Sequence, residues 1–263
     1  MSSGAVPCAL AAGQGSRCLL FLHGIGGGSW QWEPQLEHFA QRGYRALAWD
    51  MPGYGASACI EPYDFPGLAR AALALLDHEQ VDQAVLVGQS FGGMLALEIH
   101  ALAPWRVEAM VLAASSAAFG SRDNEFQRRF IAARLAPLEA GLGMEGVAQA
   151  LLPGFLSPGA PASLRGTVAA AMAEIPAQTY RRAIAALIHF DRRDWLADVR
   201  VPVLCLAGSA DQLAGPKVMR KLAAELPHAH YAEIADCGHL PNLERPLEFN
   251  TLVESFLRAE LQA

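Results

Sequence analysis

The chain has 263 residues, 52% hydrophobic and 17% charged, with a formal net charge of −6. That length supports one large core, arranged as a single domain with an insertion or as two domains. The acidic balance excludes nucleic acid as a partner, because phosphate binding needs a basic face.

No apolar run reaches the ~20 residues that a bilayer span requires; the longest are broken by Pro104, Arg106 and Glu108, so no membrane partner is expected. The stretch from Met1 to Ala5 has no basic residue, the first being Arg17, so no secretory signal is expected. Five cysteines (Cys8, Cys18, Cys59, Cys205, Cys237) without a C-x-x-C fit a reduced, cytoplasmic protein. Cys205 reads as core and Cys237 as packing.

In chain order, residues 6–11 and 18–22 read as two strands joined into a hairpin by Gly13-Gln14-Gly15-Ser16. The second strand runs into His23-Gly24-Ile25-Gly26-Gly27-Gly28. A dinucleotide loop fails here, since Ser29 stands at the third glycine position and Trp30 and Trp32 would crowd a pyrophosphate. Glycines that turn backbone N–H groups into a cleft fit better. His23 then braces that loop. Residues 33–42 read as an amphipathic helix and 44–49 as a strand. A turn-rich loop from Asp50 to Ser57 and a helix over 65–78 follow.

Next comes the apolar strand 84–87, followed by Gly88-Gln89-Ser90-Phe91-Gly92-Gly93 and a helical pattern. This G-x-S-x-G spacing between strand and helix is that of a nucleophile elbow: the serine takes a strained turn, and side chains at Gly88 or Gly92 would strike neighbouring backbone. A serine N-cap on a tightly packed helix is the plainer alternative. The strand 107–113 completes an alternation of strand and helix. It predicts an α/β fold, a mostly parallel central sheet with helices on both faces.

From 119 to 190 the β-branched runs vanish. Helices are expected over 125–138, 146–152, 162–175 and 178–190, with breaks at Pro137, Pro153, Pro158, Pro161 and Pro176. This block reads as a helical cap, or lid, inserted in a core formed by 1–118 and 191–263. The alternation then resumes with a strand at 203–207, a helix at 217–226, a strand at 230–234 and a closing helix at 247–261.

A serine hydroxyl needs a base, and the base needs a third group to fix its tautomer. Asp211 follows one late strand and His239 the next, giving the order Ser, Asp, His that a strand–elbow–helix hydrolase uses. Asp236 is the rival for Asp211, but it lies only three residues from His239. The expected catalytic set is Ser90, Asp211 and His239, with the backbone N–H groups of Ile25 and Phe91 as oxyanion hole. Trp32, Tyr54, Phe91, Phe130 and His189 are the expected pocket residues. One of the arginines in and beside the insertion (Arg122, Arg128, Arg129, Arg181, Arg182, Arg192, Arg193) could pair a substrate carboxylate, the rest forming a solvated face. His228 and His230 alternate near a strand start, yet spacing offers no third ligand, so no metal and no cofactor is expected.

As a set, these motifs resemble the α/β-hydrolase fold superfamily over roughly residues 18–118 and 198–258, together with the Asp50-Met51-Pro52-Gly53-Tyr54-Gly55 loop, Gly208-Ser209-Ala210-Asp211 and Gly238-His239. Within it the chain is similar to the 3-oxoadipate enol-lactonase and meta-cleavage product hydrolase branch, which has a helical cap at this place. Ser90 stands where haloalkane dehalogenases and epoxide hydrolases have aspartate. Members usually start with an extra antiparallel strand, for which this N-terminus has barely room. The resemblance implies a serine hydrolase, monomeric or homodimeric, that cleaves a small carboxylic ester or enol-lactone through an acyl-enzyme. Hydrolysis of a carbon–carbon bond in a vinylogous diketone with the same residues, and a non-catalytic ligand-binding receptor, are the alternatives.

Overall fold

The structure is a computed structural model that describes residues 6–120 and 124–261. Seven strands form its sheet: β1 (Ala9–Ala12), β2 (Cys18–Leu22), β3 (Arg45–Trp49), β4 (Ala84–Gln89), β5 (Val107–Ala113), β6 (Val203–Gly208) and β7 (Ala229–Ile234). They lie in the order β1-β3-β2-β4-β5-β6-β7. All neighbours are parallel except β1 with β3. Central strands such as β2 and β4 are buried along their whole length, so they read as continuous apolar runs and not as alternating ones.

Period two still sorts their side chains. Leu20, Leu22, Leu86 and Leu112 face a core built with α2 (Phe65–His78), α3 (Phe91–Leu102) and α8 (Pro216–Glu225). Leu19, Phe21, Val85 and Val87 face the opposite side, against α1 (Glu33–Ala40) and α10 (Pro246–Leu261), where Phe39, Phe249 and Val253 complete the packing. The expected layers, a mostly parallel sheet with helices on both faces, are present.

One expectation fails. β1 and β2 are not a hairpin: β3 lies between them, and β1 pairs antiparallel with β3, Ala9 opposite Trp49 and Ala12 opposite Ala46. The glycines that look like a tight turn serve a close crossing. A Cβ on Gly13 would lie 2.1 Å from the Tyr44 carbonyl oxygen, and one on Gly15 1.8 Å from that of Gly43. The connection therefore passes over the start of β3 and sets β1 at the sheet edge, giving the short N-terminus its antiparallel strand.

Register sets up the site. Leu22 stands opposite Gly88, Gln89 opposite Ala113, Ala113 opposite Leu206 and Gly208 opposite Ile234. The carboxyl ends of these strands thus stop at one level, and their loops share one rim, where open α/β sheets bind ligands.

Between β5 and β6 come α4 (Asn124–Glu139), α5 (Gly143–Phe155), α6 (Ala162–Ala173) and α7 (Ala177–Leu187). The chain enters and leaves this block side by side. Ala118 bridges Asp191, Phe119 N donates to Phe190 O at 3.0 Å, and Arg192 N to Ala117 O at 2.7 Å. Pro137 and Pro153 do not break the helices where expected. Each stands in the last turn of its helix, which runs two residues further before ending. Among the described residues no helix is long and apolar enough to cross a membrane.

Candidate active site

The elbow forms because β4 and α3 meet with almost no room between them. A Cβ on Gly88 would lie 2.3 Å from the Gly92 carbonyl oxygen, and one on Gly92 2.0 Å from that of Leu22. Ser90, between them, is held at φ 56° and ψ −117°, a left-handed conformation that costs a non-glycine residue free energy. Its N–H donates to Ala113 O at 2.8 Å, and its carbonyl accepts from Ser115 Oγ at 2.7 Å. The strain is thus fixed by the last residue of β5 and by Ser115 just beyond it.

The hydroxyl of Ser90 faces a histidine. Ser90 Oγ lies 2.9 Å from His239 Nε2, and His239 Nδ1 lies 2.9 Å from Asp211 Oδ2. Both His239 and Asp211 are buried. Asp211 Oδ1 is taken by the Leu213 and Ala214 amides at 2.7 and 3.3 Å. Burial pushes the Asp211 carboxyl up, but the His239 charge, the hydrogen bond to its ring and those two amides outweigh it and hold the pKa below the ordinary carboxylate value. An ionised Asp211 fixes the Nδ1–H tautomer, which leaves Nε2 able to accept the serine proton. Asp236, the local rival, has an exposed side chain; its backbone is held by Ser209 Oγ and Arg245.

The loop from Gly24 to Ser29 hangs from the loop after β3. His23 Nε2 accepts from Met51 N at 3.0 Å, and Nδ1–H donates to Gly24 O at 2.8 Å. Ser29 N donates to Asp50 Oδ1 at 2.8 Å, and Tyr54 Oη donates to Ile25 O at 2.8 Å. These four bonds fix the Ile25 peptide. Among the described residues neither the Ile25 nor the Phe91 amide has a protein acceptor, and both residues border the same cavity as Ser90 and His239. Two free N–H groups beside a serine, one at a helix N-terminus, can hold a developing oxyanion.

His23 carries a prediction about stability. Burial lowers its pKa from 6.5 to about 4, the Gly24 hydrogen bond and Asp50 opposing only in part. At pH 7 the ring is neutral folded or unfolded and contributes no slope. Below about pH 6.5 the unfolded chain takes up a proton that the folded chain refuses until about pH 4, so stability falls across that window, by about 3 kcal/mol in all. His23→Gln keeps an acceptor for Met51 N and removes the titration. Urea unfolding at pH 7 and pH 5 is expected to show the wild type losing about 2 kcal/mol more than the variant. Equal losses would defeat the assignment.

The cavity above these groups measures about 800 Å³. Its sheet side has Gly24, Ile25, Trp30, Ser90, Phe91 and His239, and the inserted helices supply Phe130, Phe155, Met172, Tyr180, Ile184 and Leu187. Of the expected pocket residues, Phe91 and Phe130 border it; three others do not. Trp32 is fully buried in the core, against Phe21 and Phe249. The tight turn Ser29–Trp32 sends Trp30 to the cavity instead. Tyr54 is buried behind the Ile25 loop. His189 borders a separate recess of about 370 Å³ with Phe65, Glu98 and Arg192.

Several contributors were not singled out in the sequence. Gln89 Nε2 donates to His239 O at 2.8 Å, and His239 N donates to Phe155 O at 2.8 Å. Buried Glu244, in the short helix α9 (Pro241–Glu244), accepts from Gly238 N at 2.9 Å and Ser157 N at 3.0 Å, tying the histidine loop to the insertion. Gln89 stands inside the elbow motif, so its position was a usable signal; nothing local marks Glu244.

Among the expected arginines that lie in the described residues, only Arg193 borders the cavity, and it pairs with Asp191. Arg192 grips the buried Glu98 carboxylate with two bonds of 2.7 Å, and Arg129 and Arg182 pair with Glu125 and Glu61. Arg122 lies outside the described residues. Burial lifts the Cys237 thiol to about 12, which leaves it no thiolate to use near neutral pH. His228 and His230 do meet a third group that spacing could not reveal. Glu260 of α10 brings all three ligand atoms within 4.8 Å of one another. This cluster is at the exposed β7 edge, and none of its members borders the cavity.

Comparison with known proteins places the chain in a family. Residues 19–252 match the model of the alpha/beta hydrolase family. The 3-oxoadipate enol-lactonase 2 of Acinetobacter baylyi is 28% identical, covering 94% of this chain and 91% of its own. A putative carbamate hydrolase RutD of Azorhizobium caulinodans is 32% identical, covering 90% of each. Among solved structures, a hydrolase from Pseudomonas aeruginosa superposes with a TM-score of 0.85 at 29% identity, over 95% of this chain and 93% of the other.

Proposed function

Because this chain belongs to the α/β-hydrolase family, we propose that it is a serine hydrolase cleaving a small carboxylic ester or lactone through an acyl-enzyme on Ser90. The observation that carries this reading is the unbroken chain of contacts from Ser90 Oγ through His239 to Asp211 at the floor of a largely apolar cavity. His239 Nε2 takes the hydroxyl proton as Ser90 Oγ bonds to the carbonyl carbon. The carbonyl oxygen gains the negative charge and is held by the Ile25 and Phe91 amides. The tetrahedral intermediate collapses, the bond to the leaving oxygen breaks, and that oxygen takes the proton from His239. Water repeats the two steps, His239 serving first as base and then as acid, to release the carboxylic acid and restore Ser90. Residues 119–190 act as a cap that shapes the acyl pocket and excludes bulk water.

A fluorophosphonate probe tests the activated serine without any choice of substrate. Wild-type protein is expected to be labelled within minutes, with the adduct on the peptide that contains Ser90. Labelling elsewhere, or none from folded protein, would overturn the proposal.

A further inference from the structure

One half-buried charged side chain at the cavity has no counter-ion among the described residues. Arg134, on α4, is half-buried and borders the same space as Ser90 and His239. Its guanidinium carbon lies 4.8 Å from the centre of the Phe130 ring and 5.8 Å from that of Phe155. Among the described residues no carboxylate pairs with it and its guanidinium donates no hydrogen bond. The other cations at the cavity differ. Arg193 pairs with Asp191, Lys221 lies 3.7 Å from Glu225, and Lys217 is exposed at the rim.

A desolvated, unpaired guanidinium is costly, and two aromatic faces offset only part of that cost. Burial accordingly lowers the Arg134 pKa. Such a charge persists where a ligand completes it, and the planar fork fits a carboxylate with two parallel bonds.

Resting on the serine-hydrolase reading, we propose that Arg134 selects the substrate: it binds a free carboxylate carried by the ester or lactone and sets that anion at the far end of the acyl chain. Phe155 fixes the scale. Its ring centre is 5.6 Å from that of His239 and 5.8 Å from the Arg134 guanidinium carbon, so the anion site and the catalytic base touch the same phenyl group. A short dicarboxylic half-ester reaches both groups. A neutral ester of the same length leaves the guanidinium unpaired.

The test compares the mono-4-nitrophenyl ester of adipic acid with neutral 4-nitrophenyl hexanoate. Arg134→Met keeps an unbranched side chain between Phe130 and Phe155. It is expected to lower kcat/KM for the anionic ester about 100-fold, mostly through KM, and to leave the neutral ester within about threefold. Arg134→Lys should recover part of the loss. Equal effects on both esters would overturn the proposal.

Binding separates this proposal from the hydrolase reading. Adipate titrated calorimetrically into Ser90→Ala protein should bind, and it should bind at least tenfold more weakly once Arg134→Met is added. Adipate binding that ignores Arg134 overturns the anion site even if the protein hydrolyses esters. Arg134-dependent adipate binding by a protein that hydrolyses neither ester retains the anion site and overturns the hydrolase reading.

Discussion

Ser90→Ala is expected to lower ester or lactone turnover by at least about 10³-fold while the protein still folds and binds its ligand. The expectation is specific because, among the described residues, the hydroxyl makes one hydrogen bond, at 2.9 Å to His239 Nε2. The bonds that hold the Ser90 peptide to Ala113 and Ser115 are made by its backbone and survive the substitution. Alanine takes the same strained φ of 56° at about the same cost, so the melting temperature should hardly move. Ser90→Gly sharpens the comparison. Glycine reaches that conformation freely, so this variant should unfold later than alanine, by a margin on the order of 1 kcal/mol, while equally inactive. A protein whose hydrolysis survives Ser90→Ala within about tenfold does not use this serine. Unchanged ligand binding with no wild-type hydrolysis at all would favour a receptor.

The candidate site was legible to the extent that strand ends were legible. Ser90, Asp211 and His239 each follow a β-strand within a few residues, and a parallel sheet in even register brings such loops to one rim whatever their separation in sequence. The collision of Gly88 with the Gly92 carbonyl is local because β4 and α3 are consecutive, whereas Gly92 itself meets Leu22 of β2. What was not legible depended on direction within an irregular turn. Trp30 and Trp32 differ by two residues in a tight turn, where neither the strand nor the helix period applies, and only one of them reaches the cavity. The pairing of β1 was hidden because the glycines of a tight turn and those of a close crossing look alike. The arginines depend on direction in the same way. Clustering in sequence does not say which arginine faces the cavity: Arg192 and Arg193 pair with Glu98 and Asp191, while Arg134 is marked only by its place in three dimensions.

Asp211→Asn is expected to cost turnover about 10⁴-fold, a loss of the size seen when a triad aspartate becomes an amide elsewhere. The reason is in the lone pairs. Asp211 Oδ1 accepts from two backbone amides, at 2.7 and 3.3 Å, and Oδ2 faces His239 Nδ1 at 2.9 Å. An asparagine must leave its oxygen on the amide side, or two donors would face its NH2 group. Its nitrogen then points at His239 Nδ1 and makes that atom an acceptor. The ring proton moves to Nε2, where it faces Ser90 Oγ and can no longer receive the serine proton. The geometry is preserved and the tautomer is wrong, so the damage should fall on kcat and on fluorophosphonate labelling, with substrate KM within a few-fold. Asp236→Asn is the matched control. Asp236 also carries a left-handed backbone, at φ 49°, which asparagine tolerates, and its exposed side chain touches none of the three groups. That variant should keep wild-type turnover within about threefold. If Asp236→Asn and not Asp211→Asn abolished the reaction, the histidine would be oriented from its own loop, and the reading of β6 as supplier of the third group would be wrong.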